Sequence, residues 1–383
     1  MKVNWFRVYV ALYFSFPIAS LYLGIFTGIK VPIYIELVPV IVFIFSLKKI
    51  RIKILDIIFF ISAIFFIYIN SENNYWINKI DLRGPLLLYI NYIILRTVLN
   101  KNDSITISIL VLKILEYSLY LLLLEFIIIN SFDIGLQIQD LYLANYIEAE
   151  RLYENIVSFL RPISLFPGSH NAGLVAAICF IYLIYTKKFS SNRLFPLAAL
   201  TSLIICFSIT SLITIPVVVY ILYYHRFSRL EKLISIISLS IFIIIIFAYS
   251  IEISQIKAYG KIIQDTNISF YDYYYIQSIL SSMKILANNP LGLAYDYESI
   301  YGNEVYISRV VINYGIPYIF IMVFSLYKII NNIKYQDQYT IIYTISFLVL
   351  FISSFHYPSI IYYPINIMIP LAFIMTKSRV DAA

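Results

Sequence analysis

Two arginines, Arg161 and Arg309, have the residue type and setting for phosphate chemistry in this 383-residue chain. Arg161 opens the segment Arg161-Pro-Ile-Ser-Leu-Phe-Pro-Gly-Ser-His-Asn-Ala-Gly173, which also carries His170 and Asn171. Pro162, Pro167, Gly168 and Gly173 make its backbone irregular, and irregular backbone at membrane depth survives only where protein or a water-filled cavity satisfies it. The segment is therefore expected to line a cavity. Arg309 lies about one turn inside a long apolar run that begins just after Glu304. An arginine at such depth costs about 2.5–3.5 kcal/mol on insertion scales, so it calls for a partner or a ligand. Guanidinium groups stay charged and grip phosphate oxygens in bidentate fashion, so two of them on one face suit a lipid-linked diphosphate without a metal. Simpler alternatives are a snorkelling Arg161 and an Arg309–Glu304 salt bridge.

Other polar residues cluster near these two. The stretch Asn289-Pro-Leu-Gly-Leu-Ala-Tyr-Asp-Tyr-Glu-Ser-Ile-Tyr-Gly-Asn-Glu304 contributes Asp296 and Tyr301. Tyr271, Tyr273, Tyr274 and Tyr275 have faces on which sugar rings stack, although a chain with 37 tyrosines also uses them in interface belts. Phe355-His356-Tyr357-Pro358 forms an outer turn that brings His356 within reach of the same cavity, or serves as a plain turn. Cys179 and Cys206 lack zinc-type or redox spacing and sit in apolar segments, so they read as packing residues. No phosphate-binding GxxxxGK[ST] or GxGxxG motif and no internal repeat occurs.

The elements that must position these groups follow from composition. The chain is 61% hydrophobic and only 13% charged, with a mean hydropathy of +0.84, whereas soluble domains carry about 25% charged residues. Too few charges exist to cover a water-facing surface, so a soluble enzyme is excluded and lipid is the expected solvent. Apolar windows fall at 5–27, 31–47, 54–70, 84–99, 105–131, 164–186, 194–209, 211–224, 233–251, 306–330, 339–356 and 358–376. The expected fold is all-α and polytopic, a single membrane domain (residues 1–383) with about twelve transmembrane helices. The count falls to eleven if the pair split near Thr210 and Ser211 is one span.

The net charge of +7 comes from short basic clusters between spans rather than from a stripe that would bind nucleic acid. Lys48, Lys49, Arg51 and Lys53, then Lys187, Lys188 and Arg193, then Arg226, Arg229 and Lys232 all fall on one side, which the positive-inside rule makes cytoplasmic. Both termini join that side, and the start MKVNWFR reads as the beginning of a retained span. Two long connections, 132–163 and 252–305, then face outward and carry most of the acids. In the first, apolar spacing from Leu141 to Val157 predicts an interfacial amphipathic helix. In the second, a helix is expected over 271–287, ending at Asn289-Pro290. Glu36, Asp56, Lys113, Glu116 and Glu125 lie inside early spans and are read as structural pairs, with a proton path as the other reading.

Four features in order give the chain a resemblance to the membrane O-antigen polymerase and ligase family. They are the R-x-x-x-x-F-P-G-x-H-N-x-G segment, Ser208-Ile-Thr-Ser211-Leu, the Asn289-Pro-Leu-Gly292 turn and Tyr314-Gly315-Ile316. The match covers about residues 155–375. It implies a GT-C-like membrane enzyme of the bacterial inner membrane that transfers glycan from undecaprenyl diphosphate on the outer face, with no cofactor and no metal. The implied partners are the undecaprenyl-diphosphate-linked oligosaccharide and membrane lipid, together with a chain-length regulator and a flippase.

Mapped onto this sequence, the reaction needs cations for the departing diphosphate and a base for the acceptor hydroxyl. Arg161 and Arg309 are the expected cations. Glu304 ranks first as base, because ligases of the family carry a histidine shortly after the Asn-Pro-Leu-Gly turn where this chain has Asn303-Glu304, and His170 is the second candidate. Asn171, Tyr274, Asp296, Tyr301 and His356 are the expected substrate-binding residues. The absence of that histidine favours a polymerase of lipid-linked repeat units, for O-antigen, capsule or exopolysaccharide, over a ligase. A flippase for the same lipid-linked glycan is the alternative of another class.

Overall fold

Because most of the chain is apolar, its architecture is a set of helices sorted by which faces meet each other. The computed structural model describes residues 5–28, 83–99, 104–145, 159–187 except 167, 193–224, 282–292, 306–333, 336–355 and 364–380, with isolated positions between 41 and 61, 153 and 156, and 227 and 241. Ten helices are named among these: α1 (Trp5–Thr27), α2 (Arg83–Val98), α3 (Ser104–Asn130), α4 (Ile134–Asn145), α5 (Ser169–Thr186), α6 (Leu194–Cys206), α7 (Ile209–Tyr223), α8 (Tyr306–Asn331), α9 (Ile341–Ser353) and α10 (Met368–Val380). A two-residue antiparallel ribbon, β1 (Asn155–Ile156) with β2 (Phe159–Leu160), is the extended structure among them. The fold is all-α in character.

Helix α5 is the hub. Its sequence SHNAGLVAAICFIYLIYT places small residues on several sides, and Asn171 through Cys179 are all buried. At Ala172, Gly173, Ala176 and Ala177 small side chains let neighbouring backbones approach closely. Helices α3, α6, α7 and α9 all pack on it. A Cβ added at Gly173 would lie 2.8 Å from Ser211 Oγ and 3.0 Å from Ser208 Cβ, so the start of α7 sits against the first turns of α5. At the other end the rings of Tyr185 and Tyr223 stand 5.4 Å apart. Helix α7 therefore runs parallel to α5, and α6, whose last residue Cys206 also abuts Gly173, runs antiparallel. The two diverge around the hub, α6 toward α3 and α7 toward α9.

The break between α6 and α7 falls at Phe207, in the left-handed region with φ 40°, three residues before the expected split. Ser208 caps α7, accepting from the Ser211 amide. At 13 and 15 residues these helices reach only about 20 Å and 22 Å, short of a hydrocarbon core of about 30 Å.

Two helices, Ile105–Asn130 and Ser169–Thr186, are long and apolar enough to cross a membrane by length and composition. Their surroundings differ. The α5 span is mostly covered by other helices, while α3 turns Ile109, Leu121, Leu124 and Ile127 outward. Helix α6 exposes Leu194, Leu197, Leu200 and Ile204, a stripe at helical spacing between 47% and 68% exposed, and α8 exposes Phe320, Phe324 and Tyr327. The expected windows 31–47, 54–70 and 233–251 lie largely outside the described residues.

Three expectations change in detail. The sixth window starts as helix only at Ser169, and Pro162 lies in the non-helical chain before it. The last begins with a 3-10 turn at Ile365–Ile367 before α10. The amphipathic helix expected from Leu141 to Val157 stops at Asn145, and the loop instead returns through the β1–β2 ribbon, whose Leu160 is paired to α3. Away from this region, buried polar contacts tie the early helices to the late ones: Asn91 donates to Tyr13 Oη at 2.9 Å, and Tyr13 Oη donates to Asn366 Oδ1 at 2.9 Å. Asp56 forms a salt bridge with Arg96 at 2.5 Å, a structural pair as expected.

Candidate functional site

The Arg161 segment is clasped by one face of α3. Asn130 holds Leu160 on both backbone atoms, accepting its N–H at 2.7 Å and donating to its carbonyl at 3.0 Å. One turn and a residue earlier, Glu125 accepts the Ile163 N–H at 3.0 Å and the Ser164 N–H on the same carboxylate oxygen. Ser164, left-handed at φ 50°, donates its hydroxyl to the Ser118 carbonyl at 3.1 Å. Tyr22 and Tyr153 donate their hydroxyls to the other Glu125 oxygen at 3.2 and 3.4 Å. Burial and the adjacent Glu125 carboxylate push the Tyr153 phenol above its ordinary pKa.

Between these clamps Arg161 is only 1% exposed. Its guanidinium donates to the Cys206 carbonyl at 3.1 Å, at the C-terminus of α6 where helix carbonyls lack intrahelical partners and the dipole is negative. Protein thus encloses the Arg161 side chain, on a segment whose backbone α3 pins on both sides.

His170 and Asn171 lie in the first turn of α5. His170 Nδ1 stands 3.3 Å from Ser208 Oγ, so the N-terminal turns of α5 and α7 meet beside Arg161's contact with Cys206. Both turns present positive dipole ends. The α5 cap, Gly168, offers no side chain to its own helix. Three buried polar side chains here meet no hydrogen-bond partner among the described residues: Ser169 through Oγ, Ser211 through Oγ, and Asn171 through both amide atoms. Ser169 is one turn before Gly173 and so shares the face that meets Ser211; Asn171 occupies a different face. A buried guanidinium, an imidazole, two helix N-termini and unsatisfied hydroxyls form a setting suited to oxyanions.

Arg309 belongs to the first part of α8, before a break. Gly315 adopts φ 65°, ψ −160° within α8, and Pro317 follows it. The turn Asn289-Pro-Leu-Gly292 fills the break: the Ile316 N–H donates to the Pro290 carbonyl at 2.9 Å, and Gly292 N–H closes the turn on the Asn289 carbonyl at 2.9 Å. Residues 282–288 lead into it as helix. Two motifs that the sequence offered separately are thus in direct contact.

Glu304, Tyr274, Asp296, Tyr301 and His356 lie outside the described residues. Among the described residues no three His, Cys, Asp or Glu side chains gather as a metal site requires. Sequence reasoning had Glu125 as a structural charge without saying what it held, and missed Asn130 and Ser118 altogether. The available signal was the cost of an acid within an apolar helix; nothing local marks its partner 38 residues on. No family model, no curated protein and no solved structure matches the chain.

Proposed function

We propose that this chain is a polytopic, metal-independent membrane glycosyltransferase that polymerises lipid-linked oligosaccharide repeat units on the outer face of the bacterial inner membrane. The observation carrying this reading is the junction of the α5 and α7 N-termini, where buried Arg161 lies beside His170 and the unpartnered Ser169 and Ser211 hydroxyls. Such a junction can take up the negative charge that develops on a departing diphosphate. Exposed apolar stripes on α3, α6 and α8 support contact with lipid, since water would not tolerate such faces on three helices at once; about twelve spans with both termini cytoplasmic rest on the apolar windows and basic clusters of the sequence.

In this reading a hydroxyl of one repeat attacks the anomeric carbon of a chain linked to undecaprenyl diphosphate. The new C–O bond forms as the bond to the diphosphate oxygen breaks, and the hydroxyl proton passes to a base, Glu304 first and His170 second. Arg161 and Arg309 hold the leaving diphosphate, and no cofactor takes part. The resemblance in the Arg161–Gly173 segment and the Asn289–Gly292 turn supports the family, and Asn303-Glu304 in place of a histidine shortly after that turn favours polymerisation over ligation.

Deleting the gene and examining the surface glycan tests this. Loss of a polymerase leaves a single repeat unit on its acceptor; loss of a flippase leaves none, and long unattached polymer on the carrier marks a ligase. Arg161→Lys, which keeps the charge but loses the planar fork, should cut chain extension while the protein still inserts. Normal polymer from this variant and from Arg309→Ala would sink the diphosphate assignment.

A further inference from the structure

The break in α8 is filled with unusual closeness. A Cβ on Gly315 would lie 2.4 Å from the Pro290 carbonyl oxygen, 2.5 Å from the Gly292 nitrogen and 2.5 Å from the Leu291 carbonyl carbon. All three are backbone atoms, so no side chain can move aside. Both chains meet with glycines in the left-handed region, Gly315 at φ 65° and Gly292 at φ 83°, where other residues pay about 1–2 kcal/mol. Ile316 gives its N–H to Pro290 rather than to the preceding turn of its own helix, and Pro317 has no N–H to give. The loop turn thus substitutes for a missing stretch of helix ladder.

We propose that the 289–292 turn is a wedge that positions Arg309, by fixing the angle between the part of α8 that carries it and the part, from Ile316 to Asn331, that packs on α9 and α10. This inference rests on the reading of Arg309 as a diphosphate ligand. Arg309 stands six residues before Gly315, about 9 Å along a helix, so a small change of angle at the break displaces it by ångströms. Misplacements of about 1 Å cost on the order of 100-fold in rate. The wedge acts through Arg309 and touches no substrate itself.

The test is a double-mutant cycle on polymer synthesis by the full-length protein in membrane vesicles supplied with lipid-linked repeat units. Gly315→Ala forces the wedge out from the helix side, and Gly292→Ala strains the turn from the loop side without altering α8. Each should lower kcat roughly 10- to 100-fold, and neither should lower it further when Arg309 is already alanine. That non-additivity separates positioning from general destabilisation, which would multiply the two losses. If Gly315→Ala fails to insert, Gly292→Ala carries the cycle alone. Fully additive losses, or full activity of Gly292→Ala, overturn the wedge. An Arg309→Ala protein with normal activity would instead overturn the underlying diphosphate reading, so the two failures are distinguishable.

Discussion

Arg161 and Arg309 look alike in sequence, each a lone cation at the outer end of an apolar run, yet the structure supports them in opposite ways. Arg161 is carried on a segment fixed by side chains: Glu125 and Asn130 reach out from α3 and hold its backbone on both sides, and the Ser164 hydroxyl donates to the Ser118 carbonyl. Arg309 is carried on a helix that meets the 289–292 turn through backbone, in one hydrogen bond from Ile316 to Pro290 and a glycine notch. The first arrangement is a fixed mount within the core, and the second is an arm whose angle depends on a loop. In the proposed glycosyl transfer the leaving diphosphate is held from both, one a fixed mount and the other an arm set by a loop.

Glu125→Ala should break the contrast most severely. It removes the acceptor of two backbone N–H groups and two tyrosine hydroxyls, and each buried donor left unsatisfied costs about 1–3 kcal/mol. Thermal unfolding in nanodiscs should show a large loss, whereas Gly292→Ala, which strains one left-handed position in the turn at the α8 break, should cost about 1–2 kcal/mol. Equal losses would mean that the α8 break belongs to the core after all.

Asn130→Ala tests the other clamp. It strands the buried Leu160 amide and carbonyl, at about 1–3 kcal/mol, and should lower activity more than Asn289→Ala, which removes only a side-chain bond to Ile285. Gly173→Ala probes the site itself. The new methyl would press on Ser211 Oγ at 2.8 Å, costing about 1–3 kcal/mol. Adding Ser211→Ala should restore part of the stability, because the atom in the way is then gone. No recovery in the double variant would place the strain elsewhere.

The smallest effect is in pH. The Tyr153 phenol has its pKa raised by burial and by Glu125, so in alkali the unfolded chain loses this proton while the folded one keeps it. Stability present below a pH of about 10, the ordinary tyrosine value, should therefore fall as pH rises above it, by up to about 1.4 kcal/mol per unit. Tyr153→Phe should flatten that alkaline limb relative to the parent protein. An unchanged slope would show that Tyr153 is not closed in by the Arg161 segment.

Much of this was legible in order along the chain. The boundaries of α1, α2 and α3 follow the apolar windows to within a residue or two, because a helix surrounded by apolar neighbours or lipid needs only an uninterrupted apolar run. The break of α6 and α7 was expected too, but its place moved from Thr210 and Ser211 to Phe207, since the serine cap and not the apolar pattern sets where α7 begins. The helix expected to run to Val157 fails at Asn155–Ile156: its apolar spacing suits a helix, but Leu160 is claimed by Asn130 and Asn155–Ile156 pairs with it in a ribbon.

The sequence by itself determined that this is a chain of apolar helices with sorted charges, and that Arg161, His170, Asn171 and Arg309 are its unusual polar residues. Those facts depend on composition and on neighbours within a few positions. Tertiary structure alone decided that Glu125 is the mount of Arg161, that Ser208 meets His170, and that the Asn289–Gly292 turn enters the helix break at Gly315. Each of these joins positions tens of residues apart. The first and last use backbone amides and carbonyls, which every residue possesses, and His170 meets the Ser208 hydroxyl across 38 residues, so no local pattern of side chains could announce them.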